Sequence, residues 1–66
     1  MKHYYDLHVF FSSQNGFSVP VKTDKPMTKE EVINYAVKQN LIDSEDAKCV
    51  DTVEEIDEND YNSLVV

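Results

Sequence analysis

His3-Tyr4-Tyr5-Asp6-Leu7-His8-Val9-Phe10-Phe11, Ser12-Ser13-Gln14-Asn15-Gly16 and Phe17-Ser18-Val19-Pro20-Val21-Lys22-Thr23 follow one another near the start of the chain, and their reading decides the fold. Alternation with period two sends Tyr5, Leu7, Val9 and Phe11 to one side, and Tyr4, Asp6, His8 and Phe10 to the other. Phe17, Val19, Val21 and Thr23 alternate in the same way with Ser18, Pro20 and Lys22. β-Branched and aromatic side chains favour strands. The intervening segment holds the only glycine, and Asn-Gly tolerates the positive φ of a tight hairpin turn. The pattern predicts a β-hairpin over 3–11 and 17–23. Pro20 has no N–H to donate, so the second strand belongs at a sheet edge, where proline also discourages stray pairing.

Downstream, Asp24-Lys25-Pro26 breaks the strand. Thr28 and Glu31 have the spacing of a capping box, with Met27 and Val32 as its hydrophobic staple. Glu30 and Glu31 suit the positive end of a helix dipole. Val32, Ile33, Ala36, Val37 and Leu41 form an apolar stripe, and Asn40 suits a left-handed stop. A helix is expected at about 29–40. Asp43 or Ser44 can cap a further turn through Ala47. Residues 48–56 fit a third strand, with Val50, Thr52 and Ile56 on one face and Cys49, Asp51 and Val53 on the other. The same spacing of Val50, Val53 and Ile56 also fits a helix. Asp57-Glu58-Asn59-Asp60 can cap a short helical turn carrying Tyr61 and Leu64.

Hairpin, helix and strand make an α+β fold: one ββαβ domain over residues 1–66. Its three-stranded antiparallel sheet has the order 2-1-3, with the helix on one face. The expected core is Leu7, Val9, Phe11, Val19, Val21, Ile33, Ala36, Val37 and Leu41. The opposite face carries Tyr4, His8 and Phe10 beside Asp6, Pro20 and Lys22. Three covers compete for it: the C-terminal turn with Tyr61, Leu64 and Val65, a second copy, or another protein.

At 66 residues the chain buries a small core, which by itself supplies roughly 3–5 kcal/mol. Its formal net charge is −7. Residues 1–42 sum to +1, whereas 43–60 hold nine carboxylates and one lysine, a sum of −8. The sign argues against direct nucleic-acid binding and against anionic membrane surfaces. No apolar run reaches the roughly 20 residues of a membrane span. One cysteine and no signal-peptide layout point to the cytoplasm.

The residues supply no catalytic set and no cofactor site. His3 and His8 fall on opposite strand faces and cannot share a metal. His8 can pair with Asp6. The run from Asp57 begins like a calcium loop, but Asn62 stands where glycine is required. Ser12 and Ser13 lie in a strand-to-strand loop, which is unlike a phosphate-binding loop. Cys49 reads as a small, half-buried strand residue. Two contact surfaces remain. One is the open sheet face, Tyr4, His8 and Phe10, for a protein partner or a homodimer. The other is an acidic rim, Glu54, Glu55, Asp57, Glu58 and Asp60, which could occupy a basic groove as nucleic-acid phosphates do. A solvated rim that keeps the chain soluble explains the same charge.

TKEEVINYAVKQNLID (28–43) and VEEIDENDYNSL (53–64) resemble the short acidic ββαβ proteins of phages and conjugative elements of low-GC Gram-positive bacteria, similar in layout to DpnD/PcfM modules. The resemblance implies a mobile-element origin and an accessory, non-enzymatic role, and it transfers no site residue.

Overall fold

A computed structural model describes residues 2–12 and 15–65. Three strands and three helices follow in the order β1 (His3–Phe10), β2 (Gly16–Thr23), α1 (Lys29–Lys38), α2 (Ser44–Ala47), β3 (Val50–Ile56) and α3 (Glu58–Val65). The sheet is antiparallel with β1 central, in the order β2-β1-β3, as the alternation predicts. Leu7 lies opposite Val19 on one side and Val53 on the other.

The core forms where the odd-numbered face of β1 meets α1. Tyr5, Leu7, Val9, Val21, Val32, Ala36 and Ile42 are buried, with Val19, Ile33, Val37, Val50 and Val53 packed around them. Tyr5 also anchors the helix entry, because its hydroxyl accepts the Met27 N–H at 2.9 Å. The capping box is complete: Thr28 Oγ1 accepts the Glu31 N–H at 3.2 Å, and Glu31 accepts the Thr28 N–H at 2.9 Å. That backbone bond from Thr28 holds the Glu31 carboxyl below its usual range, and Thr28's side chain adds to it. The helix ends two residues before its expected limit, at Lys38, and Asn40 takes the left-handed conformation at φ 61°. Thr28→Ala should cost about 1 kcal/mol in urea unfolding at neutral pH. Because the Glu31 pKa is depressed on folding, the cap's stabilisation is present above about pH 4.3 and is lost as pH falls through the lowered value. The gap between variant and parent should therefore narrow in acid.

Two expected core residues are not in the core. Phe11 is 51% exposed and Leu41 46%. Leu41 lies just beyond the left-handed Asn40, which turns the chain so that Ile42 goes inward instead. Phe11 follows from length. Ten residues of α1 reach about 15 Å, while the eight of β1 reach about 27 Å. The distal hairpin thus runs past its covering helix, and Phe17 is exposed there too.

Gly16 also departs from expectation. Its φ is not positive; it is the first residue of β2, opposite Phe10. A Cβ there would lie 2.6 Å from the Val9 carbonyl oxygen, so close backbone approach requires the glycine. Ser13 and Gln14 of the expected turn, and Val66, lie outside the described residues.

Residues 50–56 form a strand, and its face assignment needs correction. His8 pairs with Thr52 and Val9 with Val50, so Asp51 is the extra residue of a bulge. The bulge returns Val50 to the α1 side with Val53 and leaves Thr52, Glu54 and Ile56 on the other. This explains the helix-like spacing of Val50, Val53 and Ile56.

Candidate functional site

The even-numbered face of β1 is divided into two halves. At the Tyr4 end, α3 lies across it. Asp57 starts that helix: its Oδ1 accepts the Asp60 N–H at 2.8 Å, and its carbonyl accepts the Tyr61 N–H at 3.0 Å. Tyr61 then meets Tyr4 with ring centroids 4.9 Å apart and planes tilted by 46°. The Tyr4 hydroxyl donates to Glu58 at 3.0 Å. Burial, followed by that bond to Glu58, raises the Tyr4 pKa above the ordinary phenol value. Tyr4 is therefore removed from the open face, and the chain's own C-terminal helix is its cover.

In the middle of the face, His8 joins both strands. Its Nδ1 lies 3.1 Å from Ser18 Oγ, its direct cross-strand partner. Its Nε2 lies 3.2 Å from Asp6 Oδ2 and 3.9 Å from Glu54 Oε2. The pairing of His8 with Asp6 agrees with the alternation. Asp6 is largely covered, with 15% of its side chain exposed. Its Oδ1 is buried without a hydrogen-bond partner among the described residues. A cavity of about 300 Å³ adjoins it, lined also by Glu54, Ile56, Asp60, Ser63 and Leu64. This is room enough for solvent to reach the carboxylate. Among the described residues, no group of three His, Cys, Asp or Glu side chains could hold a metal ion.

At the far end the hairpin is bare on both faces. Phe10, on the even face, is 53% exposed; Phe11 and Phe17, on the odd face, are 51% and 41% exposed. Phe11 and Phe17 tilt against each other with centroids 5.7 Å apart. Both backbone neighbours of Phe10 are fixed. Its N–H donates to the Cys49 carbonyl at 2.9 Å, and the Phe11 N–H donates to the Asn15 carbonyl at 2.9 Å. A cavity of about 260 Å³ lies here, lined by His8, Val9, Phe10, Gly16, Phe17 and Ser18 among others. From Leu7 to Val21 the sequence contains no Asp, Glu, Lys or Arg, although 29% of the chain is charged. Sequence reasoning picked out Phe10 but placed Phe11 and Phe17 under the helix. The uncharged run was the signal that could have found them.

The acidic rim borders the other end. Glu54, Glu55, Asp57, Glu58 and Asp60 are all exposed. Glu55 lies 3.6 Å from His3 Nδ1, Glu58 receives Tyr4, and Asp57 caps α3. Among the described residues no lysine pairs with any of the five; the lysine bridges go from Lys2 to Asp24 and from Lys48 to Glu45. Both sheet edges are guarded. Pro20 lies on β2, and on β3 the bulge is joined by Lys29, whose Nζ donates to the Asp51 carbonyl at 2.9 Å. Among the described residues no helix is long and apolar enough to cross a membrane.

The chain matches no family model, no curated protein and no solved structure.

Proposed function

We propose that the protein is a non-enzymatic interaction module that binds protein through the end of its hairpin. One observation carries this reading: every phenylalanine in the chain, Phe10, Phe11 and Phe17, is exposed, and all three lie within one uncharged run. Aromatic enrichment with depletion of charge is the composition of interface cores. The guarded edges favour a contact through this end over strand addition. The Ser18–His8–Asp6 chain of contacts has the members of a hydrolytic relay, but register explains it. A relay of that kind also needs donors converging on an oxyanion. Strand N–H groups lie in the sheet plane, whereas the Ser18 side chain stands perpendicular to it. Free, half-buried Cys49 suits the reducing cytoplasm, and an accessory role in a mobile element fits the small size.

A photo-crosslinking phenylalanine analogue at position 11, in cells of the native host, should give a covalent protein adduct. The same analogue at exposed Lys38 should give none. Absence of an adduct at position 11 would overturn the reading.

The unpaired rim favours a second reading, an acidic decoy for a DNA-binding or nuclease protein. Its partner would be basic, and its binding would weaken as salt rises. Replacing Glu54, Glu55, Asp57, Glu58 and Asp60 with their amides should then abolish capture of that partner. Capture that survives the replacement excludes the decoy.

A further inference from the structure

We infer that the occupant of the hairpin end is a second copy of this chain, in a two-fold dimer with Phe11 of each copy in the cavity of the other. This rests on the hairpin end being the contact surface.

Shape is the first argument. The cavity is about 260 Å³ and is walled by Phe10, Phe17 and the side-chain-free Gly16. A dry apolar cavity of about 150 Å³ already admits benzene. Phe11 projects at the same end with half its surface exposed and is not part of the cavity wall. One copy therefore presents both a ring and a receptacle for one, which is what an isologous interface requires.

Area is the second. An aromatic side chain presents roughly 150–250 Å² in all, so three rings exposed by 41–53% offer roughly 300 Å². With the exposed Ser12, Asn15, Gly16 and Ser18 around them, the patch approaches roughly 500 Å² per copy, or about 1,000 Å² per pair. That is the lower limit for a specific interface, and it predicts dissociation at about tens of micromolar.

Charge is the third. Two chains of −7 repel each other at long range, yet the contact run itself carries no fixed charge. The acids of the rim lie at the Tyr4 end, where α3 docks. The repulsion is therefore distant and open to screening, so added salt should strengthen this dimer. A basic partner on the rim would respond in the opposite way.

Sedimentation equilibrium of the full chain, from about 1 µM to 1 mM, tests this. A monomer–dimer equilibrium is expected, tightening as sodium chloride is added. Phe11→Ser should raise the dissociation constant by about tenfold or more, while Leu64→Ser, at the opposite end, leaves it unchanged. Circular dichroism checks that each variant is folded. If Phe11→Ser does not fold, Phe10→Ser, in the cavity wall, should show the same loss. A monomer throughout the range would overturn the inference, as would equal effects of Phe11→Ser and Leu64→Ser. The mass of the position 11 adduct separates this from the broader reading. Twice the chain mass supports the dimer. Any other mass overturns the dimer and keeps the interaction module, and no adduct overturns both.

Discussion

Leu7→Ala should leave most of the chain unfolded in dilute neutral buffer. Leu7 is fully buried at the centre of the middle strand, between Val19 and Val53 and beneath the buried Val32 and Ala36 of α1. Truncating a buried leucine costs about 2–5 kcal/mol, with the higher values where the surroundings cannot close over the cavity. Here the surroundings are a three-stranded sheet and a ten-residue helix. The whole fold is worth only about 3–5 kcal/mol. Urea titration by circular dichroism should find the variant without a native baseline, while Leu7→Met, which conserves volume, should lose less than about 1.5 kcal/mol. Because dimerisation adds stability by mass action, raising the protein concentration should partly restore the Leu7→Ala fold. Adding Phe11→Ser should remove that recovery. Leu7→Ala retaining full native signal at low concentration would show that the core is not where the fold's stability resides.

What could be read from the residues, and what could not, divides along a physical line. Alternation assigns a side chain to a face, so the hairpin, the central place of β1 and the pairing of His8 with Asp6 were all legible. Capping chemistry is local, so Thr28, Glu31 and Asn40 marked the limits of α1 nearly to the residue. How far one element covers another is not local. Parity placed Phe11 and Phe17 on the helix side correctly, but a helix of about 15 Å cannot cover a hairpin of about 27 Å. Parity also fails across a bulge. Asp51 shifts the count by one, so Val50 and Val53, three apart, share a face that strict alternation denies them.

The sheet's open face depended on the same question of reach. Tyr4, His8 and Phe10 share one side of β1, but they do not form one surface. Eight residues of α3 reach about 12 Å, enough to bring Tyr61 onto Tyr4 but not to cover Phe10. The acidic segment thereby has two tasks. Asp57 and Glu58 start and dock the helix that closes one end of the face, and the remaining carboxylates keep that end charged. The apolar contact is left to the opposite end. Segregating charge from aromatics in this way lets a small, highly charged chain keep an uncharged docking surface.

Gly16→Val should separate the two accounts of that glycine, and its effect should spread beyond the loop. A turn requiring positive φ would place the strain in residue 16 itself and leave the strand pairing intact. In the structure Gly16 is inside the pairing, and the atom nearest an added Cβ is the Val9 carbonyl oxygen, at 2.6 Å. A carbonyl oxygen in a strand cannot move without its peptide plane, so β1 and β2 must part at Phe10 and Gly16. Overpacking of this kind costs about 1–3 kcal/mol, a large share of this fold's stability. The Phe11 N–H bond to the Asn15 carbonyl lies next to the point of separation. Amide exchange should therefore accelerate at Phe10 and Phe11 while the Tyr5 and Leu7 amides slow or hold at the level set by global unfolding. The cavity wall includes Gly16 and Phe17, so dimerisation should weaken with it. If only residue 16 and its immediate neighbours respond, and the dimer persists, then close approach of the two strands is not what the glycine provides.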